Sequence, residues 1–174
     1  MNLHHERLDG VSPVIRAAVL RLCDLSEVKL KRPLLVVHGW RSMAQQNALF
    51  QQGRAINRES GDWEIVDASA VVTRAKPGLS AHNVVTKLDG KPAAMGVDLI
   101  PLTSAGAPDW EVCDAFWGDL YDLAWKCGLD PLGDQIGAYL AGDKGHVEEP
   151  GWRLKLAGLG LILPVSEVQH AREA

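Results

Sequence analysis

The sequence lacks the features that mark several classes of protein. Its three cysteines are far apart, odd in number and contain no CxxC pair, so we expect reduced thiols and no disulfide framework. No window approaches the roughly 18 continuous apolar residues of a membrane span. No basic run offsets the net charge of −4, which argues against a nucleic-acid partner. The first residues include no apolar signal-peptide segment, so we expect synthesis in the cytoplasm without a signal peptide.

The chain has the size and composition of one globular domain. It has 174 residues, of which 47% are hydrophobic and 23% charged. A chain of this length can bury a core but is short for two domains, so residues 1–174 are predicted to form a single domain.

Helical periodicity marks two segments. Ser12 is predicted to be an N-cap, and Pro13 the first helical residue after it. The helix is predicted to extend over about 12–30, with Val14 on its buried stripe. Pro108 and Asp109 open the second predicted helix, with Cys113 on its buried stripe, and a glycine stop follows at Gly128. Most of the six tryptophans are predicted to pack in the core or between helices.

Strand signals lie between these helices. Leu34–Val37 predicts a buried strand, and the capping-box pattern from Ser42 predicts a helix to about Gln52. Residues 54–67 are predicted to be a long loop, and residues 70–73 a short strand. Residues 84–88 and 93–100 flank Asp89-Gly90, a pair suited to a type I′ turn, and so predict a β-hairpin. This hairpin would bring His82 close to Asp98.

Three residues have the chemistry of metal ligands. His82, Asp98 and His146 offer the nitrogen and oxygen atoms that zinc binds, and three protein ligands leave a fourth position for water, as in catalytic zinc sites. Asp143 precedes His146 by three residues, where a general base could reach that water. Nearby small residues, such as Gly96, would let the backbone approach closely beside the ligands.

Two further residues follow the first predicted strand. Arg41 lies at a strand-to-helix corner, where its guanidinium could clamp a substrate carboxylate or stabilise an oxyanion. The alternative is a surface arginine in an ordinary ion pair. Trp40, beside it, and Trp152 are the two tryptophans predicted to form a cleft wall.

Three ordered motifs resemble those of the zinc peptidases that include D-Ala-D-Ala carboxypeptidases and phage L-alanyl-D-glutamate endopeptidases, which share a fold with the hedgehog signalling domain. The motifs are Gly39-Trp40-Arg41-Ser42 with Gln46 and Leu49, Ser80-Ala81-His82 with Ala94-Met95-Gly96-Val97-Asp98, and Asp143-Lys144-Gly145-His146. The matching core spans about residues 37–152, followed by a tail over 153–174 that is predicted to pack back. Fifteen residues separate His82 from Asp98, more than is common in the family, so the hairpin is interpreted as an insertion at 83–97.

The resemblance implies a fold and a set of roles. It implies an α+β domain with a small antiparallel sheet flanked by helices. His82, Asp98 and His146 are then the zinc ligands, Asp143 the base and Arg41 the partner of the oxyanion or substrate carboxylate. Ser80 is implied to support the site through a hydrogen bond. Glu148 is implied to support it by contact with a ligand.

The same resemblance implies a function. The expected activity is zinc-dependent hydrolysis of the peptidoglycan stem peptide by an L-alanyl-D-glutamate endopeptidase, acting as a monomeric phage or prophage endolysin that a holin releases to the cell wall. The alternatives are a D-Ala-D-Ala carboxypeptidase, a zinc-bearing binding module without catalysis, and a phage structural component that breaches the wall during infection.

Overall fold

The chain forms an α+β fold, as predicted. The computed structural model describes residues 5–132, 143–156 and 158–162. In chain order the elements are α1 (Pro13–Leu25), β1 (Leu34–His38), α2 (Met43–Gln51), β2 (Arg54–Ile56), β3 (Trp63–Ile65), β4 (Val85–Thr86), β5 (Gly96–Pro101), α3 (Asp114–Lys126), β6 (Asp130–Pro131), β7 (His146–Glu148), α4 (Trp152–Lys155) and β8 (Leu161–Ile162). Within these described ranges, no helix has the length and apolar character that crossing a membrane requires.

The main sheet has four antiparallel strands in the order β1-β5-β7-β6. Strand β5 is central, and its residue Asp98 lies opposite His38 on β1 and His146 on β7. Directly opposed residues of antiparallel strands point to the same face. The register therefore places these three side chains in one row across the sheet.

The other face of the sheet packs against α1 and α3. Val97 and Leu99 of β5 flank Asp98 and belong to the main core, because alternate strand residues point to opposite faces. The helical residues that they join in this core include Ile15, Val19, Leu22, Phe116, Trp117, Leu120 and Ala124. Burial of this apolar surface fixes the sheet and, with it, the row that contains Asp98.

The first helix matches the prediction in extent but not in every detail. Pro13 is its first residue, and five residues of π-helix, Ser26–Leu30, extend it to the predicted end. The Ser12 side chain makes no capping hydrogen bond; the Ser12 amide instead donates to the Ala94 carbonyl at 2.9 Å. Val14, predicted to be buried, is 61% exposed. The predicted capping box of α2 is confirmed between Ser42 and Gln45.

Three other predicted elements are wrong. Residues 54–67 contain the short hairpin β2–β3, whose strands are half-buried or exposed and so lack a clear apolar pattern. Residues 70–73 form no strand, since a 3-10 turn ends at Ala70. The second long helix begins at Asp114 because the segment around Asp109 is held elsewhere: the Asp109 carboxylate pairs with Arg32 and its amide donates to Pro101.

The predicted hairpin exists in a shorter form. Its loop spans Lys87–Gly90, and only Gly90 in it has positive φ (66°), so the turn is not type I′. The Asp89 carboxylate accepts from the Lys91 amide at 3.1 Å. Strand β4 pairs with β8, whereas β5 belongs to the main sheet. The predicted packing of the tail is confirmed at Leu161–Ile162, which form β8, and residues 163–174 lie outside the described part.

Candidate metal centre

Three local structures bring the predicted ligands together. His82 lies in the 3-10 turn Ala81–Asn83, Asp98 in β5 and His146 in β7. The Ser80 hydroxyl accepts a hydrogen bond from the His82 amide at 3.3 Å, so it supports the turn as expected. The Met95 amide donates to the Ala81 carbonyl at 2.8 Å, which ties the turn to the segment that enters β5.

The three side chains form one compact cluster. Each offers a ligand atom, and these atoms all lie within 4.8 Å of one another. His82 Nε2 is 3.2 Å and His146 Nδ1 is 2.8 Å from Asp98 Oδ1, and the two histidine nitrogens are 3.3 Å apart. Both histidines are buried, whereas the Asp98 side chain is 18% exposed.

The remaining ring nitrogens have fixed partners. His82 Nδ1 donates to the Gly39 carbonyl at 2.6 Å, which leaves Nε2 with its lone pair towards the cluster. His146 Nε2 lies 3.2 Å from Glu148 Oε2, which leaves Nδ1 for the same cluster. Metal-binding histidines usually donate their other nitrogen to a carbonyl or a carboxylate. The two nitrogens and one oxygen therefore fit zinc, and the expected supporting position of Glu148 agrees with this contact.

Two glycines let the ligands pack closely. A Cβ on Gly96 would lie 2.8 Å from His146 Cε1 and 2.9 Å from Ala81 Cβ. A Cβ on Gly145 would lie 2.3 Å from the Leu99 carbonyl oxygen. The small residues near the ligands are thus a steric requirement of the centre.

Electrostatics favour a charged Asp98 among polar neighbours. Burial alone would raise its pKa, but the electrostatic influence of His82 and the hydrogen bonds of His146 and His38 hold the pKa of Asp98 well below its usual range. Burial lowers the pKa of His82, which favours the neutral ring that a metal ligand requires. Burial opposes protonation of His146 too, but hydrogen bonds to Asp98 and Glu148 raise its pKa to about 10. A metal ion would displace that proton.

Arg41 is part of this cluster and not a surface residue. Its side chain is 13% exposed, and its Nη2 forms an ion pair with Asp98 Oδ2. Its Nη1 lies 3.4 Å from Gln46 Oε1, and its buried Nε has no hydrogen-bond partner among the described residues. The Asn83 side chain donates to the Arg41 carbonyl at 2.7 Å. The surface alternative is therefore wrong, whereas a role towards substrate stays a prediction.

Asp143 lies at the edge of the centre. The residue is exposed, but neighbouring protein atoms desolvate its carboxyl, and this desolvation and the charge of Asp98 raise its pKa. The charges of His146, His82 and Arg41 act in the opposite direction. The Asp143 carbonyl accepts a hydrogen bond from the His146 amide at 3.3 Å, which places Asp143 beside a ligand, and its role as a general base stays a prediction.

The structure adds one residue that the sequence did not indicate. His38 Nδ1 lies 3.5 Å from Asp98 Oδ2, on the oxygen that also contacts Arg41. A bulge between Val36 and His38 turns the histidine to the same face as Asp98. Simple alternation along the strand would have placed His38 on the core side with Val36, so the sequence contains no signal for this contact.

The tryptophan predictions are partly wrong. Trp152 is 2% exposed and lies in a second core with Ala81, Val84 and Met95, so it forms no cleft wall. Trp40 packs partly against the main core, and it lines a shallow surface cavity with residues of β1 and the N-terminal segment. Two other tryptophans, Trp110 and Trp125, are 71% and 46% exposed instead of buried.

Comparison with known proteins points to fold similarity. No family model and no curated protein sequence matches the chain. Among solved structures, an L-Ala D-Glu endopeptidase, ChiX of Serratia marcescens, matches with a TM-score of 0.50 and 20% identity over 85% of this chain and 86% of that one. The chain shares the fold of this peptidase.

Two carboxypeptidase structures match equally well. The L,D-carboxypeptidase DacB of Streptococcus pneumoniae has a TM-score of 0.50 and 19% identity, over 90% of this chain and 77% of that one. The LD-carboxypeptidase LdcB, whose structure concerns peptidoglycan recognition, has a TM-score of 0.50 and 20% identity, over 87% and 73%. The predicted fold class is thus confirmed.

Proposed function

We propose that the chain is a zinc-dependent peptidase that hydrolyses the peptidoglycan stem peptide, and that it cleaves the L-alanyl-D-glutamate bond. The observation that carries this proposal is the buried cluster of His82, Asp98 and His146 on a fold shared with peptidases. The donor set suits zinc better than magnesium or calcium, because two of the three donors are imidazole nitrogens.

Each residue of the centre then has a task. His82 Nε2, Asp98 Oδ1 and His146 Nδ1 would hold the metal. When bound, zinc supplies a Lewis acid that polarises the scissile carbonyl and acidifies a bound water. Asp143 accepts a proton from the attacking water and delivers it to the leaving amine nitrogen. Arg41 places positive charge where the carbonyl oxygen becomes negative.

The neighbouring residues orient this machinery. Gly39 and Glu148 fix the two imidazole rings through their outer nitrogens. The Ser80 hydroxyl supports the turn that carries His82. A module that only binds zinc would need the ligands but not a carboxylate poised beside them, so Asp143 supports catalysis over the non-catalytic alternative.

The biological setting is part of the same proposal. An endolysin of a phage or prophage, released by a holin and acting on the cell wall as a monomer, is the setting that we propose for this peptidase. A virion component that uses the same chemistry during infection is distinguished by its gene neighbours, since tail genes would replace a holin gene.

Digestion of purified peptidoglycan tests the activity. The zinc-loaded protein is incubated with the wall, and mass spectrometry identifies the new termini. New alanine carboxyl and glutamate amino termini are expected. Release of a single C-terminal D-alanine would instead indicate a carboxypeptidase, and the size of the shortened stem distinguishes L,D- from D-Ala-D-Ala cleavage. No new terminus with stoichiometric zinc bound would overturn the proposal.

Replacing Asp143 with Asn separates the catalytic role from metal binding. The amide keeps nearly the same shape but cannot accept a proton at neutral pH. We expect zinc content to be retained and turnover to fall roughly 10²–10⁴-fold, the usual contribution of general acid–base catalysis. Asp119→Asn, at an exposed position of α3, is the matched control and should keep full activity.

The other outcomes identify other roles for Asp143. A parallel loss of zinc and activity would make this carboxylate a ligand. Undiminished turnover in Asp143→Asn would remove it from the mechanism. Metal analysis and the rate of wall hydrolysis are measured on one preparation, so the outcomes are distinguishable.

A further inference from the structure

Arg41 is poorly placed to bind a free carboxylate of an anionic peptide. The Arg41 guanidinium is 13% exposed and forms an ion pair with Asp98, so its charge is already compensated within the metal centre. A substrate carboxylate would have to compete with Asp98 for this group. Recognition of a free carboxylate is better served by a guanidinium that is exposed and lacks a carboxylate partner.

Arg153 has this character. Its guanidinium lies 4.4 Å from the centroid of the Trp152 ring, and its Nη2 donates to the Leu79 carbonyl at 2.9 Å. Trp152 is buried, so the ring is a rigid platform for the exposed arginine. Stacking on an aromatic face and a fixed carbonyl partner orient the remaining N–H donors without neutralising the charge.

The neighbours of Arg153 link it to the metal centre. Leu79 directly precedes Ser80, which supports the turn of His82. Partial burial lowers the pKa of Arg153, and the charge of Glu148, which contacts His146 Nε2, acts in the opposite direction. The guanidinium is thus connected to the surroundings of both histidine ligands while it stays open to solvent.

The nearby carboxylates are engaged with other groups. Glu148 faces His146, and the Glu149 carboxylate accepts from Lys155 Nζ at 2.6 Å. In the described part of the chain, no carboxylate lies within ion-pair distance of Arg153, although other exposed cations such as Lys144 do have such partners. The guanidinium is therefore available for an external anion.

We propose that Arg153 binds a carboxylate of the peptide substrate and makes the enzyme selective for the acid over the amide. This inference rests on the proposed function. Glutamate has two carboxyl groups and the peptide continues through one of them, so an L-alanyl-D-glutamate substrate retains a free carboxylate beside the scissile bond. Arg153 is a specificity residue in this reading and takes no part in proton transfer.

Two synthetic stem peptides test the proposal, one with the free glutamate carboxylate and one with a carboxamide there. We expect Arg153→Gln to lower kcat/KM for the acid by about 10- to 100-fold, mainly through KM, because a charge-assisted hydrogen bond is lost. The value for the amide should change little. Arg153→Lys keeps a donor for Leu79 and the charge, so it should recover part of the selectivity. Arg21→Gln on α1 is the matched control.

The outcomes separate this inference from the proposed function. An equal loss on both peptides would give Arg153 a purely structural role at the Leu79 turn and overturn the inference. If the wild type cleaves neither peptide, the proposed function fails, and a binding titration with both peptides still decides the role of Arg153. Acid-selective binding that Arg153→Gln abolishes would support the inference, whereas equal binding of acid and amide would refute it.

Discussion

Gly96→Ala tests the steric basis of the metal centre. The added methyl would lie 2.8 Å from His146 Cε1, 2.9 Å from His146 Nε2 and 2.9 Å from Ala81 Cβ. Ordinary contacts begin at 3.4 Å, so His146 must move by about 0.6 Å and Ala81 by about 0.5 Å. The backbone of Gly96 does not have positive φ, so alanine causes no backbone strain, and the collision is the whole perturbation.

Either response moves a metal ligand. If the imidazole of His146 retreats, its Nδ1 leaves the cluster; if Ala81 retreats, the turn that carries His82 moves with it. Metal–ligand distances are held to about ±0.2 Å, so a displacement of about 0.6 Å is not tolerated without loss of bonding. Disturbing the surroundings of a ligand typically costs about 10–100-fold in metal affinity. We expect a loss of zinc affinity of at least this size.

A competition titration with a chromophoric chelator measures the affinity. Gly118→Ala is the matched control, because Gly118 lies in α3 and its added Cβ would have no heavy atom within 4 Å. The control should bind zinc normally and gain about 0.5–1 kcal/mol of stability, since alanine favours a helix. Thermal unfolding without metal checks that Gly96→Ala still folds. Unchanged zinc affinity in a folded Gly96→Ala protein would refute the reasoning.

Two further predictions concern charge and thiol reactivity. Arg41→Lys should keep zinc but lose about 10²–10³-fold in wall hydrolysis, because lysine retains the charge and lacks the planar fork that stabilises an oxyanion; near-normal lysis would exclude the role. With a thiol-specific disulfide reagent at about pH 8, exposed Cys113 should react quickly and Cys23 slowly. Thiolate is the reactive form, and burial raises the pKa of Cys23 to about 12, so little of this thiol is ionised. Cys113→Ser should abolish the fast phase, and a fast phase that persists in this variant would contradict the assignment.

The sequence predicts the metal ligands better than it predicts the residues that contact them. His82, Asp98 and His146 were recognisable because their donor chemistry and order along the chain are visible in the sequence, and the structure brings them together. The contact of His38 was not predictable, because a one-residue bulge reverses the face to which the residue points. A bulge depends on pairing with β5 and leaves no pattern in the strand itself.

The observed secondary structure differs from the prediction where contacts with distant residues override the local sequence pattern. Pro108 and Asp109 are typical of a helix start, but Arg32 binds the Asp109 carboxylate and delays the helix to Asp114. Residues 93–100 are predicted to belong to a hairpin because Asp89-Gly90 precedes them. The nearly continuous apolar run of β5 is also typical of a central strand. Pairing with β1 and β7 makes it a central strand of the main sheet and not a strand of the hairpin.

The position of the metal ligands and the charge beside them depend on different contacts of Asp98. Two variants can therefore test these two properties independently. Asp98 Oδ1 faces the histidine ligands, whereas Oδ2 faces Arg41 and His38. Gly96→Ala displaces ligand atoms but leaves every charge in place, so its loss of activity should be recovered by excess zinc. Arg41→Lys leaves the ligand geometry supported by the sheet register but alters the cation beside it, so excess zinc should not help. A zinc-dependent rescue of Arg41→Lys would mean that Arg41 serves to orient Asp98 and not to stabilise charge on the substrate.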